Sequence, residues 1–138
     1  VRALSSAQVD GLSVSNLTGL KTSQLAALTS AQVDGLSNAK LIALSTAQVR
    51  ALSANLIAHL SAGQLAAMEV ADFAALSTVQ LRALTTDQMG ALLTEQLHAL
   101  SSASINAFTQ AQIGALSPAQ LAALGNLSDY TTTQIAGL

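Results

Sequence analysis

The sequence predicts an all-α protein: an α-solenoid of very short capped helices, one helix per eight-residue repeat. Three observations predict it. A large apolar residue recurs at every eighth position from Leu4 through Leu12, Leu20, Leu28 and onward to Leu116 and Leu124. Ser or Thr follows it in 12 of 15 units, and Gln stands three residues beyond that in 10 of 15. The sixth position is always large and apolar, from Val9 and Leu17 to Ile113 and Leu121, while the eighth is Ala or Gly in 14 of 15, His59 being the exception. A strict internal period means one structural unit copied along a line, each unit contacting its neighbours.

The unit reads L-S-x-x-Q-h-x-A, and these positions spell a helix start. A Ser or Thr at the N-cap accepts from orphan N–H groups of the first turn, and a Gln three residues later reaches back to the cap's own N–H. The apolar residue before the cap and the one four after it form a hydrophobic staple; Leu44 and Val49 flank Ser45 and Gln48 in this way.

In chain order, Ser5 and Ser13 open the first two helices, and Lys21 interrupts the pattern in the third. Thr29, Ser37, Ser45, Ser53 and Ser61 resume it. The unit beginning at Met68 replaces both capping residues with acids, Glu69 and Asp72; negative charge near a helix start is favourable even where the cap is weak. Ser77 and Thr85 follow, then a third departure at Leu93, then Ser101, Thr109 and Ser117. Pro118 directly follows Ser117 and so falls at the first helical position, where a missing N–H leaves no bond unmade. Residues 1–124 therefore form one continuous octad array. After Leu124 the register breaks: Gly125-Asn126 reads as a helix stop, residues 125–129 as a loop, and 130–138 as a resumed repeat starting at Tyr130.

A single long helix does not fit. Eight residues at 3.6 per turn leave a drift of roughly 80° per unit, so no apolar stripe persists. A β-helix fails as well, because the sixth position and the next first position lie three apart and would face opposite sides of a strand. Each helix holds at most about seven residues, roughly 10 Å, and one that short is unstable alone in water. Stability must come from stacking, which the small eighth residue permits. The number of units per coil stays open. The segments 4–11 (LSSAQVDG) and 28–35 (LTSAQVDG) nearly match three octads apart, but later units do not sustain that super-period.

Composition narrows the function. Only 9% of residues are charged, against about 25% in ordinary soluble domains, and the net charge is -2. Two Phe, one Tyr and no Trp offer little stacking surface, so nucleic acid is a poor partner. No apolar run is long enough for a membrane span. Cysteines are absent, which excludes disulfides and thiolate metal sites. No signal-peptide pattern is read; the chain opens at Val1-Arg2-Ala3, mid-unit, and reads as an excerpt of a longer array.

Catalysis needs convergent titratable groups. His59 and His98 stand nearly five octads apart, in different positions of the unit, and neither is expected to have a functional role. The acids Asp10, Asp34, Glu69, Asp72, Asp87, Glu95 and Asp129 are scattered without calcium-loop spacing. Asp10 and Asp34 are expected to share a surface position, being three octads apart. The hydroxyls serve as caps, with no recurring base beside them. No enzyme activity, catalytic residue, metal site or cofactor is expected.

The phrases AQVDGLS, TAQVRALS and SPAQLAALG resemble the L-[ST]-x-x-Q-[IVL]-x-[AG]-L tandem arrays of very large secreted or surface-exposed exoproteins of Gram-negative bacteria, adhesin-like or haemolysin-like. The resemblance covers residues 1–124 and 130–138 and implies an extracellular or cell-surface structural segment: a spacer, stalk, fibre or filament. A surface of Ser, Thr, Gln and Ala with so little charge also suits packing against copies of itself. The alternative is a binding module that recognises a repetitive surface, polysaccharide or ice, through its Ser/Thr/Ala face.

Overall fold

The computed structural model describes residues 3–125, 130–136 and 138. Within them every octad makes one helix of four to six residues. In order these are α1 (Ser6–Asp10), α2 (Val14–Thr18), α3 (Thr22–Leu25), α4 (Ser30–Asp34), α5 (Asn38–Ile42) and α6 (Thr46–Ala51). There follow α7 (Ala54–His59), α8 (Ala62–Ala67), α9 (Val70–Ala74), α10 (Thr78–Arg82) and α11 (Thr86–Ala91). The last are α12 (Thr94–His98), α13 (Ser102–Ala107), α14 (Gln110–Gly114), α15 (Pro118–Ala123) and α16 (Thr132–Ile135). No strand occurs among the described residues.

Each helix begins directly after the second residue of its octad, whether or not that residue caps it: Ser37, expected to cap α5, makes no side-chain cap bond. Ser61 is extended (φ -65°, ψ 158°) and its Oγ accepts from the Gln64 N–H, while the Gln64 Oε1 accepts from the Ser61 N–H at 2.8 Å. The same reciprocal pair closes Thr85 with Gln88 and Ser117 with Gln120, Pro118 taking the first helical turn. Where the cap lacks an oxygen, as at Lys21 and Leu93, the Gln half of the box persists: Gln24 and Gln96 still accept from the cap N–H. Glu69 caps nothing with its side chain. Replacing Ser61 with alanine is expected to cost about 1 kcal/mol in denaturant unfolding, an ordinary cap loss, because Gln64 remains to hold the turn.

Between helices the chain turns on extended residues. Leu52 (ψ 137°) and Ser53 (ψ 154°) form one such corner, and Leu60 with Ser61 the next. Three corners return the chain to its starting side. The contacts fix the count that the sequence left open: α1 packs on α4, α4 on α7, α7 on α10 and α10 on α13. A second column stacks α2, α5, α8, α11 and α14, and a third stacks α3, α6, α9, α12 and α15. One coil is therefore three octads, and the coils pile along one axis. Asp10 and Asp34 duly sit on stacked helices, both exposed.

First-position and sixth-position residues point inward and merge into one continuous core from Val9 to Tyr130, with Leu121 only partly buried and Ile135 exposed. The small eighth residue has the role expected of it. A Cβ built on Gly35 would lie 3.3 Å from the Ser6 carbonyl oxygen in the coil below, so adjacent coils approach to backbone contact there.

The register break opens at Gly125, whose φ of 92° is a left-handed conformation natural to glycine. The loop expected over 125–129 lies, apart from Gly125, outside the described residues. Tyr130 then enters the core at the position Leu holds elsewhere, and α16 packs on α14. The array thus resumes in the second column.

Candidate functional site: a glutamine ladder between coils

The fifth-position glutamine does more than the capping box requires. From the second coil onward it is buried, at 32, 48, 64, 80, 88, 96, 112, 120 and 134. Its Oε1 faces its own N-cap, and its Nε2 turns towards the preceding coil. Gln96 is 0% exposed; its Oε1 accepts from the Leu93 N–H at 3.1 Å, and its Nε2 donates to the Leu65 and Met68 carbonyls, both at 3.0 Å. Gln112 makes the same pair with Leu81 and Leu84 at 2.8 Å each, and Gln88 with Ile57 and Leu60 at 2.8 and 2.7 Å. In each pair the acceptors belong to the corner of the coil below where one helix ends and the next begins, at sequence separations of 31 and 28.

This geometry solves two problems with one amide. A helix of five residues leaves nearly all its first N–H and last C=O groups without intrahelical partners. The carboxamide joins the start of one helix to the end of another, so coil stacking and helix capping become the same event. All nine buried glutamines make the cross-coil bond. At Gln134 the separations are 29 and 26, to Ile105 and Phe108. The register break shortens the path between donor and acceptors, yet the bond is kept.

Sequence reasoning saw only half of this. The overlooked signal is the total absence of Glu at position five. A carboxylate serves a capping box as well as an amide does, but only the amide can also donate.

The departures adapt in different ways. Lys40 extends past its corner to the Asp10 carbonyl and pairs with the Asp10 carboxylate at 2.9 Å. Leu56 joins the core. Asp72, buried, accepts from the Thr46 hydroxyl at 2.7 Å in the neighbouring coil. That bond leaves the Leu41 and Leu44 carbonyls without the glutamine donor their counterparts have. Replacing Asp72 with glutamine is expected to raise stability by about 1 kcal/mol, the net worth of a cross-coil hydrogen bond after loss of the one to Thr46; urea unfolding reads it directly.

Among the described residues the titratable groups form no cluster of three, and only Glu95 and His98 line a common groove. His59 is exposed, its Nδ1 donating to the Asn55 carbonyl at 2.7 Å in its own helix. His98, also exposed, sits in the third column by a shallow groove lined by Val70, Thr94, Glu95, Ala99 and Ala123. Asp129 lies outside the described residues. Among the described residues no three His, Cys, Asp or Glu side chains are close enough to share a metal ion, and no helix is long and apolar enough to cross a membrane.

A family model, the ALTTAQ repeat, matches residues 65–102 and 94–126 as two overlapping stretches. Its six letters fall on octad positions eight, one, two, three, four and five; Ala83–Gln88 reads ALTTDQ and Ala43–Gln48 reads ALSTAQ. The match supports a repeat array. Neither a curated protein nor a solved structure matches the chain.

Proposed function

We propose that the chain is a structural segment of an extracellular or surface protein, a solenoid that acts as spacer or fibre and assembles by packing against copies of itself. The observation that carries this reading is where the buried polar groups point. Every buried glutamine bonds to the chain's own neighbouring coil, so the buried polar groups are spent on holding the coils together. The surface location rests on the resemblance to exoprotein arrays, and self-packing on the 9% charged content with exposed Ser, Thr and Ala.

The alternative, recognition of polysaccharide or ice, needs one residue type repeated along an exposed face. In the third column the third position reads Thr22, Thr46, Val70, Thr94 and Pro118, and the Thr46 hydroxyl is already bonded to Asp72. The interrupted row favours the structural reading. Antibody labelling of intact cells, with electron microscopy of the purified chain, tests it. Surface labelling and ordered assemblies are expected; exclusively internal labelling would overturn the location, and isolated particles at every concentration would overturn self-packing.

A further inference from the structure

One lateral face of the solenoid is complementary to itself. The first column presents α1, α4, α7, α10 and α13, with α7 at its middle. A half-turn about an axis along α7 carries α4 onto α10 and keeps each octad position in place, because the coils repeat every three octads. At position seven this column carries Asp34 on α4 and Arg82 on α10, both exposed. Among the described residues neither makes an ion pair, whereas Asp10, at the same position on α1, is already held by Lys40. Position four matches in the same way. Val79 on α10 is 65% exposed, the most exposed large apolar residue among those described, and its counterpart on α4 is the small, exposed Ala31. The other two columns lack this arrangement. Position seven of the second carries no charge from Thr18 to Gly114, and the third sets Arg50 opposite His98 about its middle helix.

We propose that the first-column faces of two copies dock antiparallel across this axis, Asp34 of each copy meeting Arg82 of the other and Val79 seating over Ala31. The occupant is a second copy because the face answers itself. An acid and a cation at one octad position, equally far on either side of α7, form two pairs at once in an isologous dimer. Helices about 9 Å apart make a strip roughly 40 Å long and 15 Å wide, about 1,200 Å² over both copies, the lower end of what a specific interface buries. Exposed ion pairs add little affinity, so contact at Val79 and the small residues holds the copies while the charges set their register. This deepens the self-packing reading, on which it rests, by naming the face and the orientation.

Sedimentation equilibrium and small-angle scattering over a concentration series compare the native chain with Asp34→Arg, Arg82→Asp and the double reversal Asp34→Arg/Arg82→Asp. Both sites are exposed, so the helical circular dichroism signal should be the same in every variant. The native chain should form a dimer no longer than the monomer but thicker. Each single reversal sets like charges face to face at two places and should weaken association at least about tenfold. The double reversal restores opposite pairs and should return association to within about threefold of native. Equal association of the native chain and the single variants, a double variant as weak as the singles, or growth in length would overturn this face while leaving self-packing in place. A native chain monomeric at every concentration would overturn both.

Discussion

Replacing Gln96 with alanine is expected to destabilise the chain by about 3–5 kcal/mol, whereas Gln8→Ala, the same change at the same octad position, should cost less than about 1 kcal/mol. Both glutamines accept from their own cap region, so the helix-capping term is common to the two. The difference is burial. Without Gln96 the Leu93 N–H, which has no side-chain oxygen at its cap, loses its partner inside the protein, and the space vacated between coils is too enclosed to collapse fully. At Gln8 water takes over each bond. Gln96→Glu makes the point through pH. An ionised carboxylate there would face the Leu65 and Met68 carbonyls, so burial and those dipoles would raise its folded-state pKa above the unfolded value of about 4.3. The penalty relative to native should therefore be small below that pH, where the protonated acid donates, and grow as pH rises through neutrality. Urea unfolding of both proteins from about pH 4 to 8 gives the difference.

Truncating Phe73 to alanine should cost a similar amount, about 3–5 kcal/mol. Phe73 is fully buried (0%) and is the largest such side chain, standing where other units carry Val, Leu, Ile or Met. The cap of its unit, Glu69, makes no side-chain bond, and the fifth residue there is Asp72 rather than Gln. Local capping there is weak, so packing carries α9. Val79→Ala is the matched control: Val79 is 65% exposed, and its loss should fall within about 0.5 kcal/mol. Because a solenoid's stability is nearly a sum of neighbour terms, the Phe73 and Gln96 variants should also lose hydrogen-exchange protection first in the coils around the lesion.

Much of this architecture was legible in the sequence because its determinants are local. Ser61, Gln64 and the staple around Ser45 lie within five residues of their partners, so spacing alone exposes them; Pro118 after Ser117 confirms the helix start independently. Three features escaped because their determinants are not local. The acceptor of the Gln96 amide is more than three octads away and is a backbone carbonyl, a group every residue carries, so nothing in the sequence marks it. The coil length is set by corner geometry, Leu52 and Ser53 both extended, and repeats clearly in sequence only between the segments 4–11 and 28–35. Asp72 escaped similarly: its partner Thr46 is a full coil away and resembles any other exposed Thr.

Short capped helices stack in coils of three octads. Since the chain has no cysteine, paired spin labels can be placed at will. Thr78 and Ser102, both exposed, lie on α10 and α13 in one column. Thr78 and Thr94 are nearer in sequence by one octad but lie in different columns. With Thr78→Cys/Ser102→Cys and Thr78→Cys/Thr94→Cys, labels on the same-column pair should show the stronger coupling, reflecting a backbone separation of about 8–10 Å between packed helices. A cross-column pair closer than the same-column pair would contradict the account, as would a Thr78–Ser102 separation of roughly 36 Å, the distance between them in one continuous helix.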